Sequence, residues 1–150
     1  MPLIKRRALL GRLVVCGLAL ASIDAQAFCF DEAAARYGVN PVVLRGIAFV
    51  ESRLRATVVR RNEDGSIDYG PMQVNSVHLP ELARWGITPA RLMDPCTNVM
   101  VGAYLYRKKM ERYGNTWVAV GAYHSETPEN RDAYSSKVQA AVQSWIGSVR

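Results

Sequence analysis

The stretch NPVVLRGIAFVESRL, residues 40–54, gives the clearest indication of fold class in this chain. Asn40 followed by Pro41 is typical of a helix start, because an asparagine side chain caps free amides and proline suits the first helical position. Apolar residues then recur at helical spacing. The pattern predicts an amphipathic helix that runs to about Leu54 and carries Glu51 on its apolar face or at the edge of that face.

Outward from this helix, the sequence predicts further helices separated by short turns. The segment 56–71 is polar and irregular, and Asp64-Gly65 within it indicates a small hairpin. The other helices, bounded by caps, prolines and glycines, are predicted at residues 31–37, 76–85, just after Thr88-Pro89, 95–113, 117–123 and 131–145. Strand signals are nearly absent, so we predict a mainly α domain with a small loop or hairpin region.

The first 27 residues have the order of a secretory signal peptide. A basic cluster at residues 5–7 precedes a short apolar stretch, and the small residues Ala25 and Ala27 fit a cleavage site. A membrane anchor is the alternative, but the apolar stretch is shorter than the roughly 20 residues that a membrane span needs. We therefore predict a signal peptide over residues 1–27 and one exported domain over residues 28–150, without a membrane span.

Removal of that peptide leaves two cysteines, Cys29 and Cys96. Disulfides form in oxidising compartments outside the cytosol, so export predicts a bond between them. Closing that loop would stabilise the fold by roughly 4 kcal/mol, whereas two buried free thiols are the alternative. Two separated cysteines and two unclustered histidines do not make a zinc site, so no metal is expected.

The formal net charge of +6 does not indicate a nucleic-acid-binding protein. Residues 1–27 contain four basic side chains and one acidic one, so half of the excess lies in the predicted signal peptide. The remaining basic residues are dispersed rather than gathered into a stripe. The exported domain is mildly basic, which suits an anionic matrix and not a nucleic acid.

Glu51 is the acidic residue with the most unusual predicted surroundings. Ile47 and Leu54 share its side of the helix. A carboxyl group beside apolar side chains loses hydration, and its pKa rises because the charged form is disfavoured. Such a group can donate a proton near neutral pH, as a general acid must. The alternative is an ordinary ion pair between Glu51 and Arg45 or Arg55.

The segment DYGPMQVN, residues 68–75, combines a glycine turn with two side-chain amides. Gln73 and Asn75 each offer a donor and an acceptor, which suits the hydroxyl and amide groups of a sugar. Met72 adds an adaptable apolar contact. Taken alone, the segment fits equally well an ordinary loop that caps a helix.

These features occur in an order that resembles the soluble lytic transglycosylase family. The motifs of that family match Glu-Ser at 51–52, Gly-Pro-Met-Gln at 70–73 and Ala-Tyr at 122–123. Asn-Glu-Asp-Gly at 62–65 and Asp-Pro-Cys-Thr-Asn at 94–98 resemble, in addition, the small specialised members associated with type III and type IV secretion systems and with pili. Each motif is weak by itself, whereas the ordered set covers nearly the whole predicted domain.

The resemblance implies a goose-type, lysozyme-like helical domain that cleaves peptidoglycan in the periplasm without a cofactor. The bond would be the β-1,4 bond between N-acetylmuramic acid (MurNAc) and N-acetylglucosamine (GlcNAc), and the product would be a 1,6-anhydro end. Glu51 matches the only catalytic carboxylate of the family. The implied partners are peptidoglycan strands and secretion-system or pilus assembly components.

The resemblance also assigns roles to other residues. Substrate-binding positions match Met72, Gln73, Asn75, Tyr123 and Tyr134, and structural positions match Ser52 and Gly70. Two departures from the family pattern affect the site. Pro71 stands where leucine is usual and removes one amide donor. His124 stands where asparagine is usual, and it either replaces the hydrogen bond of that asparagine or adds a pH-sensitive group.

Two other functions are compatible with the sequence. A lysozyme-type hydrolase would cleave the same bond and would need a second carboxylate, Asp64 or Asp68, to activate water. A noncatalytic murein-binding assembly factor would keep the fold, but it would have no reason to retain an acid on an apolar face. The masses of the released fragments distinguish the hydrolase from the transglycosylase, because anhydro ends are lighter by one water.

Overall fold

The computed structural model of the protein describes residues 28–147, and this part of the chain is mainly helical. The predicted signal peptide and its cleavage site lie outside the described residues. The helices are α1 Phe30–Tyr37, α2 Pro41–Ser52, α3 Leu79–Leu82, α4 Pro95–Tyr113, α5 Trp117–His124 and α6 Pro128–Gly147. The strands are β1 Val59–Arg61, β2 Ile67–Tyr69 and β3 Val74–Asn75. The prediction of a mainly α domain with a small hairpin region is confirmed.

Two helix starts follow the cap residues that the sequence predicts, whereas α1 begins at Phe30 rather than at residue 31 and α6 at Pro128 rather than at residue 131. Asn40 accepts a hydrogen bond of 2.8 Å from the first turn of α2, and Asp94 accepts one of 2.7 Å from the first turn of α4. In α1, Asp31 does not cap the helix. That helix begins one residue earlier, and the Asp31 carboxylate instead pairs with Arg45 of α2 at 2.9 Å.

The end of α2 differs from the prediction and directs the hairpin back towards the helix. α2 ends at Ser52 rather than near Leu54, because Arg53 and Leu54 adopt left-handed conformations with φ of 57° and 58°. Such conformations are costly for residues with a β-carbon. The reversal brings β1 beside the end of α2, where the Arg60 guanidinium donates a 3.4 Å hydrogen bond to the Glu51 carbonyl.

The prediction of one helix over residues 76–85 is wrong. The segment consists of a 3₁₀ turn, α3 and a second 3₁₀ turn. Pro80 has no amide proton with which to continue a regular α-helix from Ser76, and the amide of Leu79 bonds the Ser76 carbonyl instead.

The predicted hairpin is confirmed, and a third strand that the sequence did not indicate extends it. β1 and β2 are antiparallel with Val59 opposite Tyr69, and Gly65 takes a φ of 83° in the turn between them. β3 pairs with β2 through Val74, which lies opposite Tyr69. With two residues, β3 is too short to produce the alternating pattern by which strands are recognised.

The helices enclose one hydrophobic core. α6 packs against α2 and α5, while α4 packs against α1 and α5. Large side chains that are almost completely buried include Leu44, Ile47, Leu92, Val99, Tyr106 and Val138. The predicted disulfide between Cys29 and Cys96 is present and joins the start of α1 to the start of α4. Among the described helices, none is long and apolar enough to cross a membrane.

Candidate active site

Glu51 lies in the last turn of α2 and lines a cleft of about 680 Å³. We distinguish three parts of this cleft. The hairpin wall comprises Asn62, Ser66, Asp68, Gln73 and Asn75; the helical wall comprises Glu51, Ala122, Tyr123 and His124; and the basic rim comprises Lys108, Lys109 and Arg112 of α4. The cleft therefore brings residues from four separate stretches of the sequence to one place.

The Glu51 carboxyl group is largely removed from water. Its Oε1 accepts a 2.7 Å hydrogen bond from the Tyr134 hydroxyl of α6. Burial raises the pKa of Glu51 to about 7, against the lowering effects of the Tyr134 hydrogen bond and the positive charge of Arg60. The negative charge of Asp68 adds to the rise. At neutral pH, Glu51 therefore populates both its protonated and its charged form.

The ion pairs that the sequence leaves open for Glu51 do not form. Arg45 pairs with Asp31 at 2.9 Å, and Arg55 donates to the Ser52 carbonyl at 2.9 Å. Glu51 is thus a half-buried, protonatable carboxyl group, as its position at the edge of the apolar helix face predicts.

Tyr134 lies beneath the helical wall and connects Glu51 to His124. Only 4% of Tyr134 is exposed. Burial raises its pKa well above the ordinary value, so the hydroxyl remains a proton donor to Glu51. The ring stacks on His124 with centroids 4.8 Å apart and planes only 4° from parallel. Burial lowers the pKa of His124, so this imidazole is neutral at pH 7.

Tyr123 and Met72 form a second link across the cleft. The Tyr123 hydroxyl donates a 2.8 Å hydrogen bond to the Met72 carbonyl, which ties α5 to the loop after β2. The sequence predicts that Met72 contacts the substrate, but its side chain is completely buried and does not line the cleft. It packs on Gly102 so closely that a β-carbon there would lie 2.6 Å from Met72 Cγ. Met72 therefore supports the site from beneath.

Gln73 and Asn75 both line the cleft, although their amides are already engaged within the hairpin wall. Gln73 Nε2 donates to the Gly70 carbonyl at 2.8 Å, and its buried Oε1 has no partner among the described residues. Asn75 Oδ1 caps the following 3₁₀ turn, and its Nδ2 donates to Ser66 and Asp68. Gln73 keeps one free acceptor, while Asn75 mainly orients Asp68.

Asp68 is one of three further carboxylates that line the cleft, with Asp64 and Glu126. Its Oδ1 accepts a 2.8 Å hydrogen bond from Asn75, and its Oδ2 accepts one of 3.0 Å from Asn62. The sequence places Asp68 in a polar loop, where it is a candidate only for the water-activating group of a hydrolase. The sequence gives little indication of these hydrogen bonds, because the two amides that donate to Asp68 lie six and seven residues away along the chain.

Three structural residues hold the walls in place. Ser52 donates to the Ala48 carbonyl at 3.0 Å, within the last turn of α2. Gly70 has a φ of 68°, and a β-carbon there would lie 2.5 Å from the amide of Asn98. Asn98 is fully buried, accepts from the Met72 amide at 2.8 Å, and donates to the Tyr69 and Leu92 carbonyls. The motif at residues 94–98 identifies this asparagine, but not its partners.

Ion pairs stabilise the basic rim. Lys108 pairs with Glu81 at 3.0 Å. Lys109 and Arg112 share Glu126, at 2.7 and 2.8 Å, which holds the segment after α5 against α4. These exposed pairs contribute little stability individually, but they define one end of the cleft.

Within residues 28–147, one group of side chains lies close enough together to hold a metal ion, and it lies outside the cleft. The group consists of Cys29, Glu32 and Cys96. Both of these cysteines are joined in the disulfide, so their thiolates are not available as ligands.

Similarity to known proteins identifies the family to which this chain belongs. The family model described as "Transglycosylase SLT domain" matches residues 28–146. This chain belongs to the SLT transglycosylase family. It is a lytic transglycosylase with a lysozyme-like domain, and its family acts on peptidoglycan.

Curated relatives in enteric bacteria are similar to this SLT transglycosylase over most of its length. "X polypeptide" of Escherichia coli is 38% identical over 143 residues, which cover 91% of this chain and 84% of that protein. Invasion protein IagB of Salmonella typhimurium (strain SL1344) is 40% identical over 114 residues, 75% and 71% of the two chains. Protein IpgF of Shigella flexneri is 39% identical over 103 residues, 68% of each chain.

Proposed function

We propose that Glu51 acts first as general acid and then as general base in cleaving the β-1,4 bond between MurNAc and GlcNAc. The protonated carboxyl gives its proton to the glycosidic oxygen, the bond from that oxygen to C1 of MurNAc breaks, and GlcNAc leaves as an alcohol. The Glu51 carboxylate then takes the proton of the MurNAc 6-hydroxyl as that oxygen bonds to C1. The product is a 1,6-anhydro end, no water is consumed, and Glu51 is again protonated.

One observation carries this proposal: a carboxyl group with a pKa of about 7 lies at the wall of a cleft. A group with this pKa populates both its acid and its base form at neutral pH, and the two steps use these forms in turn. The Tyr134 hydroxyl donates to the carboxyl group at 2.7 Å and favours its charged form, which is the base in the second step.

The test is digestion of purified peptidoglycan by the wild type and by Glu51→Gln, with mass spectrometry of the products. We expect anhydro ends from the wild type and a loss of rate of at least about 100-fold for the variant. Equal digestion by both proteins would exclude Glu51 as the acid. An inactive wild type, under conditions in which it binds peptidoglycan, would favour the noncatalytic assembly factor.

A lysozyme-type hydrolase is the second candidate, and the position of Asp68 is the observation that favours it. Asp68 lines the same cleft as Glu51, and its negative charge acts on the Glu51 carboxyl group. A carboxylate in this position could activate water, which would yield reducing ends. The product masses distinguish the two reactions, because reducing ends are heavier than anhydro ends by one water.

We further propose that residues 1–27 are removed on export and that the domain of residues 28–150 acts in the periplasm. The disulfide and the enzyme family both support an exported protein. N-terminal sequencing of the exported chain should begin at Phe28.

The name of the relative IagB, an invasion protein, supports a role in local opening of the cell wall for a secretion system or pilus. Deleting the gene should then reduce assembly of that apparatus, and Glu51→Gln should not restore it.

A further inference from the structure

A second depression, of about 650 Å³, lies apart from Glu51 and is lined mainly by aromatic and apolar side chains. We call it the Trp85 groove, and its lining includes Arg36, Tyr37, Trp85, Arg91, Met100 and Tyr104. Trp85 is 55% exposed, and its ring meets the Tyr104 ring edge-on at 5.2 Å. Tyr104 in turn contacts Tyr37 at 5.9 Å. Connected aromatic rings that face solvent are typical of a binding surface.

The Trp85 groove adjoins the catalytic cleft along α4. Tyr104 of the groove and Lys108 of the cleft are four residues apart, so they lie on the same face of that helix. Both bind Glu81, which accepts from the Tyr104 hydroxyl and pairs with Lys108 at 3.0 Å. A polymer that leaves the cleft along α4 therefore passes over the Trp85 groove.

The charges of the groove suit a ligand that carries carboxylates. Arg36 and Arg91 are exposed, and within residues 28–147 neither forms an ion pair. The charge of Arg91 contributes to lowering the pKa of Asp94, but the Asp94 carboxylate is occupied in capping α4. The Arg36 guanidinium lies 5.9 Å from the centroid of the Tyr37 ring, which leaves its N–H donors without a carboxylate. Guanidinium groups bind carboxylates in a bidentate manner, so two arginines without an ion pair at an aromatic groove favour an acidic ligand.

The base of the groove is covalently restrained. Cys96 contributes to its lining, and the disulfide to Cys29 fixes the start of α4 against the start of α1. A surface that is already rigid loses little conformational entropy on binding.

We infer that the Trp85 groove is a second binding site for peptidoglycan, in which Trp85 and Tyr104 contact a sugar and the two arginines bind carboxylates of a peptide stem. The inference rests on the proposed function, because it assumes that the polymer in the cleft is peptidoglycan. The site extends the contact beyond the bond that is cleaved, and two linked contacts on one polymer bind more tightly than either alone.

The test measures binding to purified peptidoglycan sacculi by co-sedimentation, with every variant made in the Glu51→Gln chain so that the polymer stays intact. Trp85→Ala should weaken binding about tenfold, as is common for an exposed aromatic anchor. Trp117→Ala is the matched control, since Trp117 is 40% exposed and lines neither the cleft nor the groove. The inference is overturned if Trp85→Ala and Trp117→Ala bind equally well.

A second measurement tests the role of the arginines. The double variant Arg36→Ala/Arg91→Ala should bind native sacculi several-fold more weakly than the control Arg84→Ala, which alters an exposed arginine outside the groove. On sacculi whose carboxyl groups have been amidated, the two variants should bind equally. A defect of the double variant that persists on amidated sacculi would exclude carboxylates as its ligand.

Failure of this inference and failure of the proposed function give different results. With Glu51 intact, wild type and Trp85→Ala should both release anhydro ends, and the variant should need more sacculi for half-maximal rate at an unchanged maximal rate. If the wild type releases no anhydro ends while binding still depends on Trp85, the second site stands and only the proposed reaction is excluded. If anhydro ends appear and Trp85→Ala binds sacculi as well as the control does, only the second site is excluded.

Discussion

Glu51 on the helical wall and Asp68 on the hairpin wall are carboxylates of one cleft, but their surroundings supply different numbers of hydrogen-bond donors. Glu51 accepts from Tyr134 at 2.7 Å, and burial raises its pKa to about 7. Asp68 accepts from two side-chain amides, at 2.8 and 3.0 Å. The helical wall therefore favours a carboxyl group that keeps its proton, and the hairpin wall provides the donors that suit a carboxylate anion.

The difference follows from the secondary structure of each wall. In packed helices the backbone amides bond within the helix, and the side chains between helices are mostly apolar, so few donors reach a carboxylate there. In a short polar hairpin, asparagine side chains extend across neighbouring strands and can donate to one acceptor. An acid on a helical core and an anion on a hairpin are thus the expected results of building a cleft from these two elements.

The largest effect should come from releasing the hairpin wall from α4. Asn98→Ala leaves the Met72 amide and the Tyr69 and Leu92 carbonyls without their partner in a buried place. We expect the free energy of unfolding to fall by about 3–5 kcal/mol, because each unpaired buried group is costly. Urea denaturation measures this, with exposed Asn115→Ala as the control. A loss below about 1 kcal/mol would show that the hairpin wall holds its position without Asn98.

The next effect concerns the stability cost of the helical wall. A raised pKa means that the folded chain binds more protons than the unfolded chain between pH 4.5 and about 7, so stability falls as pH rises through this range. Glu51→Gln removes this loss of stability, because glutamine does not titrate in this range. It should stabilise the fold by up to about 3 kcal/mol at pH 8 and by almost nothing at pH 4. Equal shifts in melting temperature at both pH values would contradict a buried, proton-binding Glu51.

Tyr134→Phe removes a hydrogen bond that lowers the pKa of Glu51. We expect this pKa to rise by about one unit, because hydrogen bonds to charged groups contribute about 1.5–3 kcal/mol. The rate of peptidoglycan cleavage requires protonated Glu51 and should fall above about pH 7 in the wild type, and at higher pH in the variant. Tyr123→Phe is the control, since its hydroxyl bonds the Met72 carbonyl and not Glu51. If Tyr134→Phe instead moves the basic limb of the rate profile, the pH range in which the rate falls, to lower pH, then the Tyr134 hydrogen bond does not lower the pKa of Glu51.

The smallest effect concerns the electrostatic interaction between the carboxylates of the two walls. The negative charge of Asp68 raises the pKa of Glu51, so Asp68→Asn should move the basic limb of the rate profile to lower pH, by less than about one unit. This direction is opposite to that expected for Tyr134→Phe. If Asp68 activates water instead, its substitution abolishes the formation of reducing ends, which mass spectrometry would detect. A basic limb at an unchanged pH would mean that the two carboxylates do not interact.

Much of the helical frame could be predicted, because helix starts and ends have local signals. Asn40, Asp94 and Gly114 act at or beside the ends that their residue types indicate. The failures also have local causes. Arg53 and Leu54 adopt left-handed conformations that end α2 early, and no glycine in the sequence indicates this end. Pro80 divides a helix that the apolar pattern alone would continue.

The candidate site was only partly predictable. Glu51 could be recognised because its apolar neighbours lie within one or two helical turns of it. Met72 was expected at the cleft surface and is buried, because a motif specifies residue types but not which side chains point inward. Asn98 and Asp68 gain their roles from partners on other elements. No periodic pattern in the sequence contains those pairings.

By itself, the sequence determined the helical segments, the hairpin turn, the two cysteines available for a disulfide, and an acid set among apolar residues. All of these depend on neighbours within a few positions or on composition. The tertiary structure decided which groups surround that acid: the hydroxyl that binds it comes from 83 residues further along the chain. The hydroxyl that ties α5 to the hairpin loop bonds a carbonyl 51 residues away. Such contacts arise only when helices pack, because packing, and not helical or strand periodicity, sets which distant side chains meet.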